Sequence, residues 1–138
     1  LLGGDETHHD WILYGYFGKD VNMTDGQVTY TRQPLPDSTT YCHTGDLRNI
    51  TAGGDRPEAA EAGHFLPSAG KVPHFRIPVP SHRHRDAPEG NLVFDLEIDP
   101  GQEQPIDDPA REAELAATMK GLLARHDAPE SQYERLGL

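Results

Sequence analysis

Several groups of side chains in this sequence could do chemistry. His8-His9-Asp10 and His82-Arg83-His84 carry imidazoles that ligate metals. Alternate residues of an extended segment point the same way, so His82 and His84 could share an ion. No second pair at metal-site spacing accompanies them, so a solvated polar loop stands beside the metal reading. Cys42-His43 sets a thiol beside an imidazole. Catalytic thiols and bases meet in space rather than in sequence, and a lone cysteine is most often a small buried hydrophobe. Asp95, Glu97, Asp99, Asp107 and Asp108 form a carboxylate run that could hold a cation or do acid–base work. Asp99 and Asp108 also have local duties, one in a turn and one at a helix cap. Asn22-Met23-Thr24 and Asn49-Ile50-Thr51 match the glycosylation acceptor pattern. The "GKD" and "AGK" stretches lack the flanking glycines and the hydroxyl of a phosphate loop.

The elements that must position these groups fall at the two ends of the chain. Between Asp10 and Gln33, aromatic and branched residues alternate with polar ones, which predicts strands near 11–16, 19–24 and 27–33. Asp25-Gly26 between two alternating runs predicts a tight hairpin turn with positive φ at both residues. "NLVFDLEI", from Asn91 to Ile98, is the next strand, with Leu92, Phe94, Leu96 and Ile98 on one face. Asp99-Pro100-Gly101 ends it. Asp108 then caps a helix whose first residue is Pro109, where a missing donor costs nothing. Glu112 and Glu114 lie near its positive end, and Arg125 and His126 near its negative end. Leu115, Met119, Leu122 and His126 form its stripe, widened by Ala116 and Leu123. Pro129 stops it, and Tyr133, Leu136 and Leu138 can anchor the polar tail.

From Pro34 to Gly90 the prolines keep removing backbone donors, so mostly irregular backbone is expected. "DRPEAAEAG" suits a short helix ended by Gly63, and "VPHFRIPVP" suits an extended edge segment, because its prolines exclude it from a central strand. The expected architecture is α+β: a small antiparallel sheet of roughly four strands with a C-terminal helix on one face, and a long Pro-rich middle segment.

The chain has 138 residues, which suits one domain over 1–138. An apolar share of 35% with Gly 14 and Pro 12 implies a modest core. A formal charge of −11 repels phosphate backbones and argues against nucleic acid. No apolar run long enough to span a membrane is present. Cys42 is alone, so no internal disulfide is possible and cysteine usage leaves the compartment unknown. Leu1 in place of Met, with no signal-peptide pattern, reads as a cut through a longer chain.

"LYGYFGKDVNMTDGQVTYTR" and "NLVFDLEIDPGQEQPIDDP", followed by the helix and "APESQYERLGL", resemble the C-terminal region of bacterial type I sulfatases, of the alkaline phosphatase superfamily. The middle, "STTYCHTGDLRNI" and "GKVPHFRIP", is only broadly similar. The resemblance implies a sulfuric ester hydrolase, or a related phosphate or phosphonate ester hydrolase. Such enzymes use a formylglycine made in a Cys/Ser-x-Pro-Ser-Arg motif and a divalent metal, usually calcium, both in a large N-terminal domain. This chain departs from that pattern, because Cys42 is followed by His43-Thr44-Gly45. No catalytic or metal residue is carried over, and no cofactor is expected in this fragment.

The resemblance implies a subdomain that docks beside the catalytic domain of the same chain and borders the active-site mouth. The residues placed there to meet an anion are His43, Lys71, His74 and Arg76, with ordinary surface charge as the other reading. The chain is expected to be inactive alone and to pair as a homodimer when isolated, hiding its docking face. Two other classes stay open. One is a free-standing carbohydrate- or protein-binding module with Trp11, Tyr14 and Tyr16 as its platform. The other is a small metal-dependent hydrolase built on the scattered histidines.

Overall fold

The computed structural model describes residues 10–47, 59–79 and 90–138. Its strands are β1 (Ile12–Gly15), β2 (Val21–Thr24), β3 (Val28–Arg32), β4 (Thr40–Thr44), β5 (Glu61–Gly63), β6 (His74–Val79) and β7 (Leu92–Asp95). Two helices follow, α1 (Pro109–Arg125) and α2 (Glu130–Leu136). The strands make a four-stranded antiparallel sheet in the order β1-β2-β3-β7 and a three-stranded antiparallel sheet in the order β4-β6-β5. The architecture is α+β, as the alternation and the helical stripe predict.

Register decides which face of the larger sheet enters the core. Leu13 pairs with Met23, Met23 with Tyr30, and Tyr30 with Val93, so these side chains form one row. Leu115, Met119, Leu122 and Leu123 of α1 and Leu136 of α2 cover that row. Each large apolar side chain so buried contributes roughly 1.5–3 kcal/mol. The stripe holds except at His126, which is exposed and caps the end of the helix. At the start of α1 the Asp108 carboxylate accepts from the amides of Ala110 and Arg111, with Pro109 behind it as expected. Leu136 is fully buried, while Tyr133 and Leu138 pack half-buried against the same core.

The β7 face differs from the alternation read in the sequence. Val93, not the Leu92–Phe94 face, meets the helices, because Val93 sits opposite Tyr30. The strand also stops at Asp95, whose carboxylate accepts from the amides of Glu97 and Ile98 and folds the chain over. Leu96 and Ile98 therefore lie outside the strand, and Ile98 is exposed. The hairpin between β2 and β3 is looser than the expected tight turn. Thr24 pairs directly with Thr29, and only Gly26 has positive φ, at 93°. Asp25 closes the loop by accepting from the amides of Gln27 and Val28, which removes the need for a second left-handed residue.

The middle segment, expected to be mostly irregular, supplies the second sheet. Glu61–Gly63 is a strand rather than the end of a helix; Pro57 lies outside the described residues. β6 is the central strand of its sheet rather than an edge. Pro78 is tolerated because it falls beyond Arg76, the last β6 residue paired with β5, so β6 has a neighbour on only one side there among the described residues. No helix among the described residues is long and apolar enough to cross a membrane.

Candidate functional site

Antiparallel pairing of β4 with β6 places His43 opposite Arg76, and β5 places Gly63 opposite His74 and Glu61 opposite Arg76. Period-two alternation then puts Tyr41, His43, His74 and Arg76 on one face of the small sheet. The sequence-predicted candidates His43, His74 and Arg76 are brought together in this way. The ring centroids of His43 and His74 are 5.5 Å apart. Lys71 is not brought in: it stands exposed in the turn before β6, with no hydrogen bond or ion pair to the described residues.

Each of the three has a defined state. Arg76 donates from Nε and Nη2 to one oxygen of Glu61, at 3.0 and 2.8 Å. Its guanidinium also lies 4.8 Å from the Tyr41 ring centre and 4.2 Å from that of Phe65, which holds the plane in place. His74 is buried. Its Nδ1 donates to the Val72 carbonyl, and its Nε2 accepts from the Phe65 amide, both at 3.3 Å. With Nε2 accepting, the donated ring proton is the one on Nδ1, and both nitrogens are engaged. His43 has its Nδ1 shut away from solvent without a hydrogen-bond partner. Its pKa lies below the ordinary value of 6.5, first because burial disfavours the charged ring, then because His74 and Arg76 stand nearby.

Sequence reasoning missed Phe65, Tyr41 and Glu61, which hold this cluster. The ring of Phe65 lies over Gly63, where a Cβ would come within 2.7 Å of it. Tyr41 two residues before His43 was the available signal, since the pair shares a face once β4 is a strand. Arg135 was missed as well. It is 4% exposed and sits on α2, donating from Nη1 to the Lys19 carbonyl at 2.7 Å and from Nε to Gln132 at 3.0 Å.

The remaining candidates separate. His8, His9, His82 and His84 lie outside the described residues, as does Asn49. Among the described residues no group of three His, Cys, Asp or Glu side chains could hold a metal ion. Asp95, Asp99 and Asp108 each accept backbone amides, in two turns and a cap. Asn22 lies within β2, accepting from Thr31 and donating to Asp20, so its amide is already engaged. Tyr14 and Tyr16 are 47% and 81% exposed, whereas Trp11 packs against the core. The small sheet thus presents an oriented arginine already paired with Glu61 and a histidine with one unpartnered ring nitrogen. No family model matches the chain, and no curated protein and no solved structure does either.

Proposed function

We propose that this chain is the C-terminal subdomain of a sulfatase-type ester hydrolase, with a structural and substrate-access role. The observation that carries the reading is the joint behaviour of the sulfatase-like stretches. They are far apart in sequence, yet they supply β1, β2, β3, β7, α1 and α2, which pack on one core. The small sheet, from the less similar middle, presents His43, His74 and Arg76 on one face. Arg76 is already paired with Glu61, and both nitrogens of His74 are engaged. Groups so committed suit the positioning of an anionic ester better than the making or breaking of its bonds. The nucleophile and the metal belong, on this reading, to a catalytic domain on the same chain.

The test uses both the isolated chain and the longer reading frame that contains it. The isolated chain should not hydrolyse 4-nitrophenyl sulfate, phosphate or phosphonate esters above a heat-killed control. The longer chain should hydrolyse one of them, and Arg76→Ala should raise its KM more than it lowers kcat. Turnover by the isolated chain, or an upstream frame without a Cys/Ser-x-Pro-Ser-Arg motif, would overturn the reading.

A second reading rests on Tyr14 and Tyr16, exposed at an edge strand and its following loop. They suit a recognition surface for carbohydrate or protein. Unchanged tyrosine fluorescence across a soluble glycan panel would remove the carbohydrate form of it.

A further inference from the structure

We propose that the cavity between β4 and α2 binds a compact tetrahedral oxyanion, sulfate or phosphate, whatever reaction a longer chain performs. The cavity measures about 150 Å³, with Thr39, Tyr41 and His43 in one wall and Ser131 and Arg135 in the other. A tetrahedral oxyanion fills the space of roughly two waters, at about 30 Å³ each, so it fits with room for one or two bridging waters.

Arg135 is the anchor. It is buried, and no carboxylate among the described residues lies within ion-pair distance of it; Asp20 acts on it only from farther away. Nε and Nη1 are taken by Gln132 and Lys19, which leaves Nη2 without an acceptor among the described residues. Burying a cation whose counter-charge stands beyond hydrogen-bond reach is costly, and an anion in the cavity would offset part of that cost. His43, in the opposite wall, carries the unpartnered Nδ1. Ser131, Thr39 and Tyr41 add hydroxyls with no hydrogen bond to the described residues. Residues able to donate thus line both walls of one small space, which suits a ligand with acceptors in every direction better than a planar carboxylate.

The charge of the walls selects the same cavity. A neighbouring cavity of about 250 Å³ shares Arg135, Ser131, Tyr41 and Thr39 but also has Asp37 and Glu134 in its lining. Those carboxylates would repel an anion. The smaller cavity has no acidic side chain in its lining.

The test is a titration of sodium sulfate, sodium phosphate and sodium acetate into this chain, at ionic strength held constant with sodium chloride. Backbone and arginine Nε–H resonances are followed by NMR. Saturable shifts centred on Arg135, Ser131 and His43 are expected with sulfate and phosphate, and at least tenfold weaker binding with acetate. Arg135→Lys should weaken sulfate about tenfold or more, because one ammonium cannot keep the bonds to Gln132 and Lys19 and still reach the anion. Ser131→Ala, on a helix that tolerates alanine, and His43→Gln keep the test decisive if the Arg135 variant does not fold; each should weaken sulfate several-fold. Shifts that stay linear with salt, wild-type affinity in both Ser131→Ala and His43→Gln, or a preference for acetate would overturn the proposal.

Discussion

Arg32 joins the end of β3 to the end of the chain, and Arg32→Lys measures what that link contributes. Its Nε donates to the Leu136 carbonyl at 2.7 Å, its Nη2 to the Gly137 carbonyl at 2.8 Å, and its Nη1 to the Tyr30 hydroxyl at 3.0 Å. Glu112 stands 3.7 Å away, and the Arg32 side chain is 14% exposed. The two carbonyls belong to the last residue of α2 and to its C-cap, so one guanidinium satisfies groups that a helix end leaves open and neutralises its negative pole. A lysine keeps the charge but has a single nitrogen, which cannot reach both carbonyls and the phenol from one position. A charge-assisted hydrogen bond contributes about 1.5–3 kcal/mol when shielded and less where water competes. The Gly137 bond is exposed and the other two are partly buried. With about one bond retained, the loss should be about 2–3 kcal/mol. Urea unfolding followed by Trp11 fluorescence and far-ultraviolet circular dichroism reads it, with the slope unchanged and the midpoint lowered. In a chain of this size the melting temperature should fall by roughly 6–12 °C. The Tyr30→Phe variant in a double-mutant cycle isolates the phenol bond. A loss below about 0.5 kcal/mol would refute the reasoning, because the link would then be a surface contact of ordinary worth.

Other outcomes follow from the same geometry. Asp108→Ala removes the acceptor for two amides at the start of α1 and should cost about 1 kcal/mol in urea unfolding. His43 is faced by His74 and Arg76 on β6 and by Arg135 across the cavity, and its folded pKa is below 6.5. The unfolded chain therefore takes up this proton first, so stability should decline as pH falls below about 6.5 and level off under the folded pKa. His43→Gln should flatten that part of the stability profile, and an unchanged profile would show that His43 does not set it. Tyr14→Ser with Phe17→Ser removes exposed apolar surface beside β1. In sedimentation equilibrium the wild-type chain should self-associate at high concentration and the double variant should not; a monomeric wild type would count against a docking face.

The parts legible in the sequence were those fixed by local chemistry. Pro109 after Asp108 located the helix start because cap and first turn depend on neighbouring residues alone. The strands around Asp25-Gly26 were legible for the same reason. What failed was set by partners distant in sequence. Val93 enters the core because Tyr30 stands opposite it, and nothing within "NLVFDLEI" says which parity that will be. β6 is central only because Glu61–Gly63 pairs on one flank and Thr40–Thr44 on the other. The prolines of "VPHFRIPVP" were read as barring a central strand, whereas the rule acts only at a position that must donate to a neighbour. In the candidate site, residue type named His43, His74 and Arg76 as cations. It could not name Phe65, which holds two of them by lying over a glycine.

The two sheets leave different surfaces to different tasks. The large sheet is covered by helices on its Leu13, Met23, Tyr30 and Val93 face. Its other face carries Asn22, Thr24 and Thr31 with the buried Thr29 and Phe94, flanked on β1 by the exposed Ile12 and Tyr14. β1 is also an edge strand, and an apolar edge invites pairing unless something covers it. The small sheet is the reverse: its Tyr41–His43–Arg76 face is packed with rings around the Arg76–Glu61 pair. A docking partner would therefore bury the β1 edge and leave the Arg76 face uncovered. On that arrangement, substitutions at Ile12 or Tyr14 should weaken assembly with a catalytic domain without changing KM in whatever complex survives. Substitutions at Arg76 should change KM and leave assembly intact. If both sets moved the same parameter, docking and access would share one surface, and the division between the sheets would be wrong.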